Sequence, residues 1–199
     1  FVTTNAPTIT GDGIDMAVAV GAATVDMEQI QIHPSVYTET TTALITEGIR
    51  GDGAILVNQE GKRFVNELET RDNVSAAELA QEGGYAYTIL DQKMMDASST
   101  YNGYFTKGYA VQADSYEALA EKLGIDAEGL KASVEQYNAD AAAGAENAQI
   151  AAVPKRALDA EGPYYGVRVE AANHMTKGGV VCNENAQVLN ADDTVVPGL

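Results

Sequence analysis

Apolar positions along the chain switch between a period of about 3.6 residues and a period of two, and the switches mark out its elements. Leu130, Val134, Tyr137 and Ala141 stand at helical spacing and predict a helix over 127–143. Tyr116, Leu119 and Leu123 do the same for 115–123, which Gly124 closes. Both stripes read as core faces. Two further helices are predicted over 14–22, rich in small apolar residues, and over 72–81, stopped by Gly83 and Gly84. The first opens from the loop Thr10-Gly11-Asp12-Gly13, where Thr10 or Asp12 can cap it. Alternating or β-branched runs predict strands over 27–33, 43–46, 85–91 and 162–170, and a hairpin joining 179–182 to 187–189 through Asn183 to Ala186. Segment 92–107 reads as helix then loop, and 35–42 and 144–152 read as loops.

One stretch, 46–72, carries more chemistry than the rest. Its runs 54–58 and 63–67 flank the loop Gln59-Glu60-Gly61-Lys62 and read as a β-hairpin. Pairing Asn58 with Arg63 would set Arg50 opposite Arg71 at the open end, with Glu47 close by; Gly51 and Gly53 can break the ladder earlier. Two arginines beside one glutamate make either a charge-balanced surface cluster or a site for an anionic substrate. In the second case guanidinium groups hold carboxylates and the glutamate shares protons with them. An arginine, normally always protonated, can act as an acid only toward a strongly basic carbanion, with its proton replaced through a neighbouring carboxylate.

Charge sharpens that choice. The 199 residues carry 12 Lys plus Arg against 29 Asp plus Glu, a net charge of −17, which argues against nucleic-acid and anionic-membrane binding. Arginine clusters therefore stand out against an acidic background. No run approaches the ~20 apolar residues of a membrane span. Cys182, the only cysteine, lies in the apolar run Val180-Val181-Cys182 and is expected to be a small buried hydrophobe, so neither a disulfide nor a cysteine-based metal site is expected. The aspartate pairs Asp12/Asp15 and Asp192/Asp193 do not match a calcium loop. Phe1 opens inside an ordered-looking segment and 195–199 stops where an apolar strand would start, so the chain is expected to be a piece of a longer protein.

Four smaller features remain open between a structural and a functional role. His33 precedes Pro34 and is held at a strand end, where side chains reach into sites or simply into solvent. Asp12 either caps a helix or addresses a cofactor's hydroxyl or phosphate groups. His174 begins the run His174-Met175-Thr176-Lys177-Gly178-Gly179, and its two glycines allow close backbone approach to a flat ligand.

Taken in order, Thr4-Asn5-Ala6-Pro7, Thr10-Gly11-Asp12-Gly13, His33-Pro34, Thr46-Glu47-x-x-Arg50-Gly51, the stretch 54–67, Thr70-Arg71-Asp72 and Thr176-x-Gly178-Gly179 resemble the soluble fumarate reductase flavoproteins. These are the flavocytochrome c fumarate reductases and relatives such as the urocanate reductases, within the succinate dehydrogenase/fumarate reductase group. The resemblance covers nearly the whole chain. It implies an α+β fold, with a capping (clamp) domain over 31–158 and partial FAD-binding domain segments over 1–30 and 159–199. It implies reduction of the C=C bond of an unsaturated carboxylate, fumarate-like or another 2-enoate, by hydride from flavin N5. Arg71 takes the position of the catalytic acid, and Glu47 and Arg50 match its proton-delivery pair. His33, Thr46 and His174 match substrate-binding positions, and Asp12, Gly178 and Gly179 match the FAD contacts. The implied partners are the FAD domain of the same parent chain and an electron-donor domain or protein, in a periplasmic or cell-surface bacterial setting.

The match has gaps. The GxGxxG nucleotide fingerprint and the downstream segment with a further substrate-binding arginine are absent, so this chain alone is expected to bind FAD weakly or not at all. Where the family carries two histidines before Thr-x-Gly-Gly, this sequence has His174-Met175, which favours an enoate with an apolar or aromatic tail over a dicarboxylate. A non-catalytic clamp module and a flavin dehydrogenase or oxidase remain the alternatives.

Overall fold

The computed structural model describes residues 2–199. In chain order its elements are α1 (Asp12–Ala19), β1 (Thr24–Val25), β2 (Ile30–Tyr37), β3 (Ala43–Leu44), α2 (Gly48–Gly51), β4 (Ile55–Val57) and α3 (Arg71–Leu79). There follow β5 (Tyr85–Asp91), α4 (Gln92–Ala97), α5 (Ser99–Thr106), β6 (Val111–Ala113), α6 (Tyr116–Leu123), α7 (Ala127–Ala143), β7 (Tyr164–Thr176) and β8 (Gly179–Val180). The chain forms two compact units, one of residues 33–172 and one of residues 2–32 with 173–199.

The larger unit is a mixed helix and sheet body around strands ordered β3-β2-β7-β5-β4, with β6 also paired to β7. Alternation along the central strands divides its core in two, because successive side chains of a strand point to opposite faces. Leu56, Ala86, Leu90, Val167 and Val169 face one side, where Ile49, Val74, Met94, Met95, Tyr101 and Tyr104 from α2 to α5 cover them. Ile55, Val57, Tyr87, Ile89 and Tyr164 face the other, under Leu119 of α6 and Leu130, Val134 and Tyr137 of α7. The helical stripes at 116–123 and 130–137 are thus core. Strand β7, expected among the flanking segments, supplies the middle of this sheet, antiparallel to β5 from Tyr164–Asp91 to Glu170–Tyr85.

Caps fix the ends of these helices. The side chains of Asp91, Ser98, Ser115 and Asp126 accept from backbone amides of α4, α5, α6 and α7, and Gly124 and Gly144 stop α6 and α7 in the left-handed conformation. The β4–turn segment docks on the start of α7. The Asp126 amide donates to Gln59 O at 3.0 Å, Ser133 Oγ donates to Gly61 O at 2.7 Å, and Gly61 has a φ of +69°.

In the smaller unit α1 packs Ala17 against Val188 and Val196, while β1 pairs antiparallel with β8. Neither Thr10 nor Asp12 caps α1. Its N-cap is Gly11 in the left-handed conformation, and Thr10 Oγ1 donates instead to Asp12 Oδ1 at 2.7 Å. The expected hairpin after Gly179 forms, with Asn183 N donating to Gln187 O and Cys182 bridged to Val188. Cys182 is exposed rather than buried, because no other segment among the described residues covers it there.

Three other expectations change. Strand β2 runs on through Pro34 to Tyr37, so the loop shrinks to 38–42, and 92–107 is two helices rather than helix then loop. Strand β6 was not legible at three residues. Residues 63–67 do not form the second strand of a hairpin. Their only ladder contact is a bridge from Arg63 to Val57, one residue off the expected pairing with Asn58. The cause is Glu67, whose carboxylate accepts from the Leu56 amide at 3.1 Å and from Arg63 at 2.8 and 2.6 Å. A side chain therefore satisfies the edge amide that a second strand would have taken.

Candidate active site

The larger unit gathers Glu47, Arg50, Arg71 and His33 around one carboxylate. Arg71 is the first residue of α3, and its Nε and Nη2 donate to Glu47 Oε2 and Oε1 at 2.6 and 2.9 Å, a bidentate pair. Arg50 Nη2 lies 3.9 Å from Glu47 Oε2, one helical step along α2, and His33 Nε2 lies 3.9 Å from the same oxygen. The two arginines thus meet through Glu47 rather than face to face across a ladder, because both come from helices. His33 is buried within β2, and its Nδ1 accepts from the Ser35 amide at 3.1 Å. That bond assigns the proton of a neutral His33 to Nε2, on the side of Glu47. Thr46 begins the turn into α2, its amide donating to Tyr104 Oη at 2.9 Å and its Oγ1 accepting from Gly48 N.

The two arginines live in different environments. Arg71 is part exposed, and its hydrogen bonds to Glu47 push its pKa further up; the same bonds hold the Glu47 carboxyl below its usual range. Arg50 is 4% exposed, and burial pulls its pKa down against the attraction of Glu47, Glu78 and Glu67. Its Nη1 donates to the backbone oxygen of Glu67 at 2.5 Å. Helix α2 is held by Tyr101, whose Oη donates to Asp52 at 2.7 Å, and by Lys155, which donates to Gly51 O at 2.6 Å and so caps the carbonyl end. The arrangement is a three-member line, an exposed guanidinium, a carboxylate and a buried guanidinium, able to pass a proton inward or outward while orienting an anion at its open end.

Three groups around it were not singled out by sequence. Arg63 and Glu67 form a buried ion pair, and the Arg63 guanidinium stacks 4.8 Å over the Tyr137 ring. Their four-residue spacing was visible but lay inside an expected strand, where such a pair points to opposite ends of one face. Glu78 of α3 is fully buried, two helical turns after Arg71. Neither of its carboxyl oxygens has a hydrogen-bond partner among the described residues, and burial pushes its pKa well up. A lone glutamate in the pattern of α3 gave no signal of this.

The remaining predicted residues lie in the smaller unit. His174 Nδ1 and Thr4 Oγ1 are 2.8 Å apart. Gly178 cannot carry a side chain because a Cβ there would meet Asp26 O at 2.2 Å, whereas a Cβ on Gly179 meets nothing. Asp12 stands exposed beside an open groove of about 540 Å³, lined by the loop 8–14 with Val180 and Val188. Gly11 and Gly13 leave that loop unobstructed, and α1 starts there. The groove, the aspartate and the helix start suit contact with part of a dinucleotide.

The class is settled by comparison with known proteins: the chain belongs to the FAD binding domain family, whose pattern it matches over residues 1–199. Within that class it is 43% identical over its whole length to the NADH:fumarate oxidoreductase of Klebsiella pneumoniae and to a fumarate reductase (cytochrome) of Shewanella frigidimarina, spanning 21% and 34% of those proteins. It is 35% identical to the urocanate reductase of Eggerthella lenta, again spanning 34%. Among solved structures it superposes on the open conformation of a flavocytochrome c3 fumarate reductase with a TM-score of 0.79 at 35% identity, covering all of this chain and 35% of that one. A 3-ketosteroid Δ1-dehydrogenase of Sterolibacterium denitrificans follows at 0.67 and 27%, with 41% of it covered. The chain spans about a third or less of the length of these curated relatives.

Proposed function

We propose that this chain is part of an FAD-dependent oxidoreductase that reduces the C=C bond of an unsaturated carboxylate, with Arg71 as the acid. The observation that carries this reading is the bidentate Arg71–Glu47 pair backed by the buried Arg50. FAD, when bound, would supply the hydride chemistry. Arg71 gives its proton to one alkene carbon, Glu47 relays a replacement, and Arg50 provides it. A guanidinium held at a raised pKa keeps its proton from water and ordinary bases and yields it only to a carbanion, which protects the step from leakage. His33 Nε2–H and Thr46 hold a substrate carboxylate beside the line. Asp12, Gly178 and Gly179 contact FAD. The larger unit, 33–172, is the capping domain, the smaller, 2–32 with 173–199, holds adjoining segments of the FAD domain, and an electron-donor domain or protein reduces the flavin.

The test uses the full-length parent loaded with FAD and reduced by an artificial donor, whose oxidation is followed on fumarate, urocanate and substituted acrylates. Arg71→Ala is expected to lower kcat by about 10²- to 10⁴-fold with FAD still bound. Turnover indifferent to Arg71 would overturn the assignment, and turnover of a saturated ketone or steroid alone would favour a dehydrogenase.

A further inference from the structure

The line Arg71–Glu47–Arg50 must be refilled with one proton per turnover, and its inner end, Arg50, is almost completely buried. A cavity of about 10 Å³ lies against Arg50. Its inner wall is made by Arg50, Arg63 and Glu67, and its rim by Leu68, Val153 and Lys155, all three of them exposed. The volume matches one water molecule, and a water is stable inside a protein where it meets two or more polar partners. Here the partners are in place. Arg50 Nε and Arg63 Nη1 are buried donors with no hydrogen-bond partner among the described residues, and both side chains line the cavity. Of their other donors, Arg50 Nη1 and Arg63 Nε and Nη2 are occupied on Glu67, while Arg50 Nη2 faces Glu47.

We propose that this cavity is the solvent port of the proton line: a single water held between Arg50 and Arg63 passes protons from bulk acid at the 153–155 rim to Arg50. This inference rests on the proposed reductase reading. When Arg50 has given its proton toward Glu47, the water donates one to the neutral guanidine and takes one from an acid at the rim, ending as it began. The Arg63–Glu67 ion pair has a positioning role. It holds Arg63 Nη1 on the water and holds the Glu67 backbone oxygen on Arg50, and the stacking of Arg63 over Tyr137 keeps the wall rigid. Burial of Arg50, which pulls its pKa down, makes it the easier of Arg50 and Arg71 to empty.

Two measurements test the port. The first narrows the cavity from opposite walls with Ala152→Val and Ala54→Val in the FAD-loaded parent. Both alanines are buried and line the space. Folded variants are expected to lose at least about tenfold in kcat, with unchanged KM and a larger solvent deuterium isotope effect, because proton refilling becomes rate-limiting. Folded variants with wild-type kcat and isotope effect would overturn the proposal. The second is a high-resolution crystal structure of the wild-type protein. A water within hydrogen-bond distance of both Arg50 Nε and Arg63 Nη1 is expected, and a cavity without one would overturn the proposal even if the variants fail to fold. Wild-type parent inert on every enoate would instead sink the functional reading, a result the first measurement registers before any variant is made.

Discussion

At the residue scale the group most at odds with its surroundings is Glu78. This fully buried carboxyl has no hydrogen-bond partner among the described residues, and burial holds its folded pKa well above its ordinary value of 4.5. Arg168 and Glu170 of β7 and Arg50 of α2 act on it with opposing signs, and desolvation outweighs them. A raised folded pKa means that the stability linked to this group is present below pH 4.5 and lost as pH rises through the folded value. Glu78→Gln should therefore leave stability near pH 4 almost unchanged and raise it at neutral and alkaline pH. The gain should grow by about 1.4 kcal/mol per pH unit above 4.5 until the folded value is reached. Urea unfolding of both proteins across pH 4 to 9 checks this; parallel curves would show that Glu78 is ionised and paired.

At the element scale the site depends on the docking of the β4 turn onto α7, because that turn leads into Arg63 and Glu67. The contact is backbone on backbone at Gly129, where a Cβ would sit 1.8 Å from Glu60 O, and at Gly61, where it would sit 2.2 Å from the Leu130 amide. Gly129→Ala must push the turn off the helix start. It is expected to cost more than the ~1 kcal/mol an alanine usually gains over glycine inside a helix, so the net sign is destabilising. A fall in Tm with simultaneous loss of protection of the Asn58 and Gly61 amides, both bonded within that turn, is the expected outcome. Removing the α7 cap with Asp126→Ala, which deletes the 2.6 Å bond from the Gly129 amide, should cost about 1 kcal/mol with the turn still docked.

At the scale of the whole molecule the net charge of −17 dominates. Self-repulsion of that size opposes the folded state and is screened by salt, with a Debye length of about 10 Å at 0.1 M. Raising sodium chloride from 10 mM to 0.5 M should raise Tm by several degrees, and a flat response would mean that local pairing already balances the charge. Buried pairs such as Arg63–Glu67 and Arg156–Asp91 are less screened and should not weaken in parallel.

The sequence by itself determined the period-coded elements: the stripes of α6 and α7, the strand 85–91, and the stop at Gly124, each set by residues within a turn or two of one another. It also pointed to Glu47, Arg50 and Arg71 as one cluster. Tertiary structure alone decided how they meet. Glu67 took the amide a second strand would have paired, so 63–67 left the sheet, and the arginines converge on Glu47 from two helix ends. It alone decided that Arg50 is buried and Arg71 is not, that Glu78 faces the core, and that Cys182 faces water. These outcomes depend on which distant segments cover a residue, and burial by distant segments leaves no period in the chain.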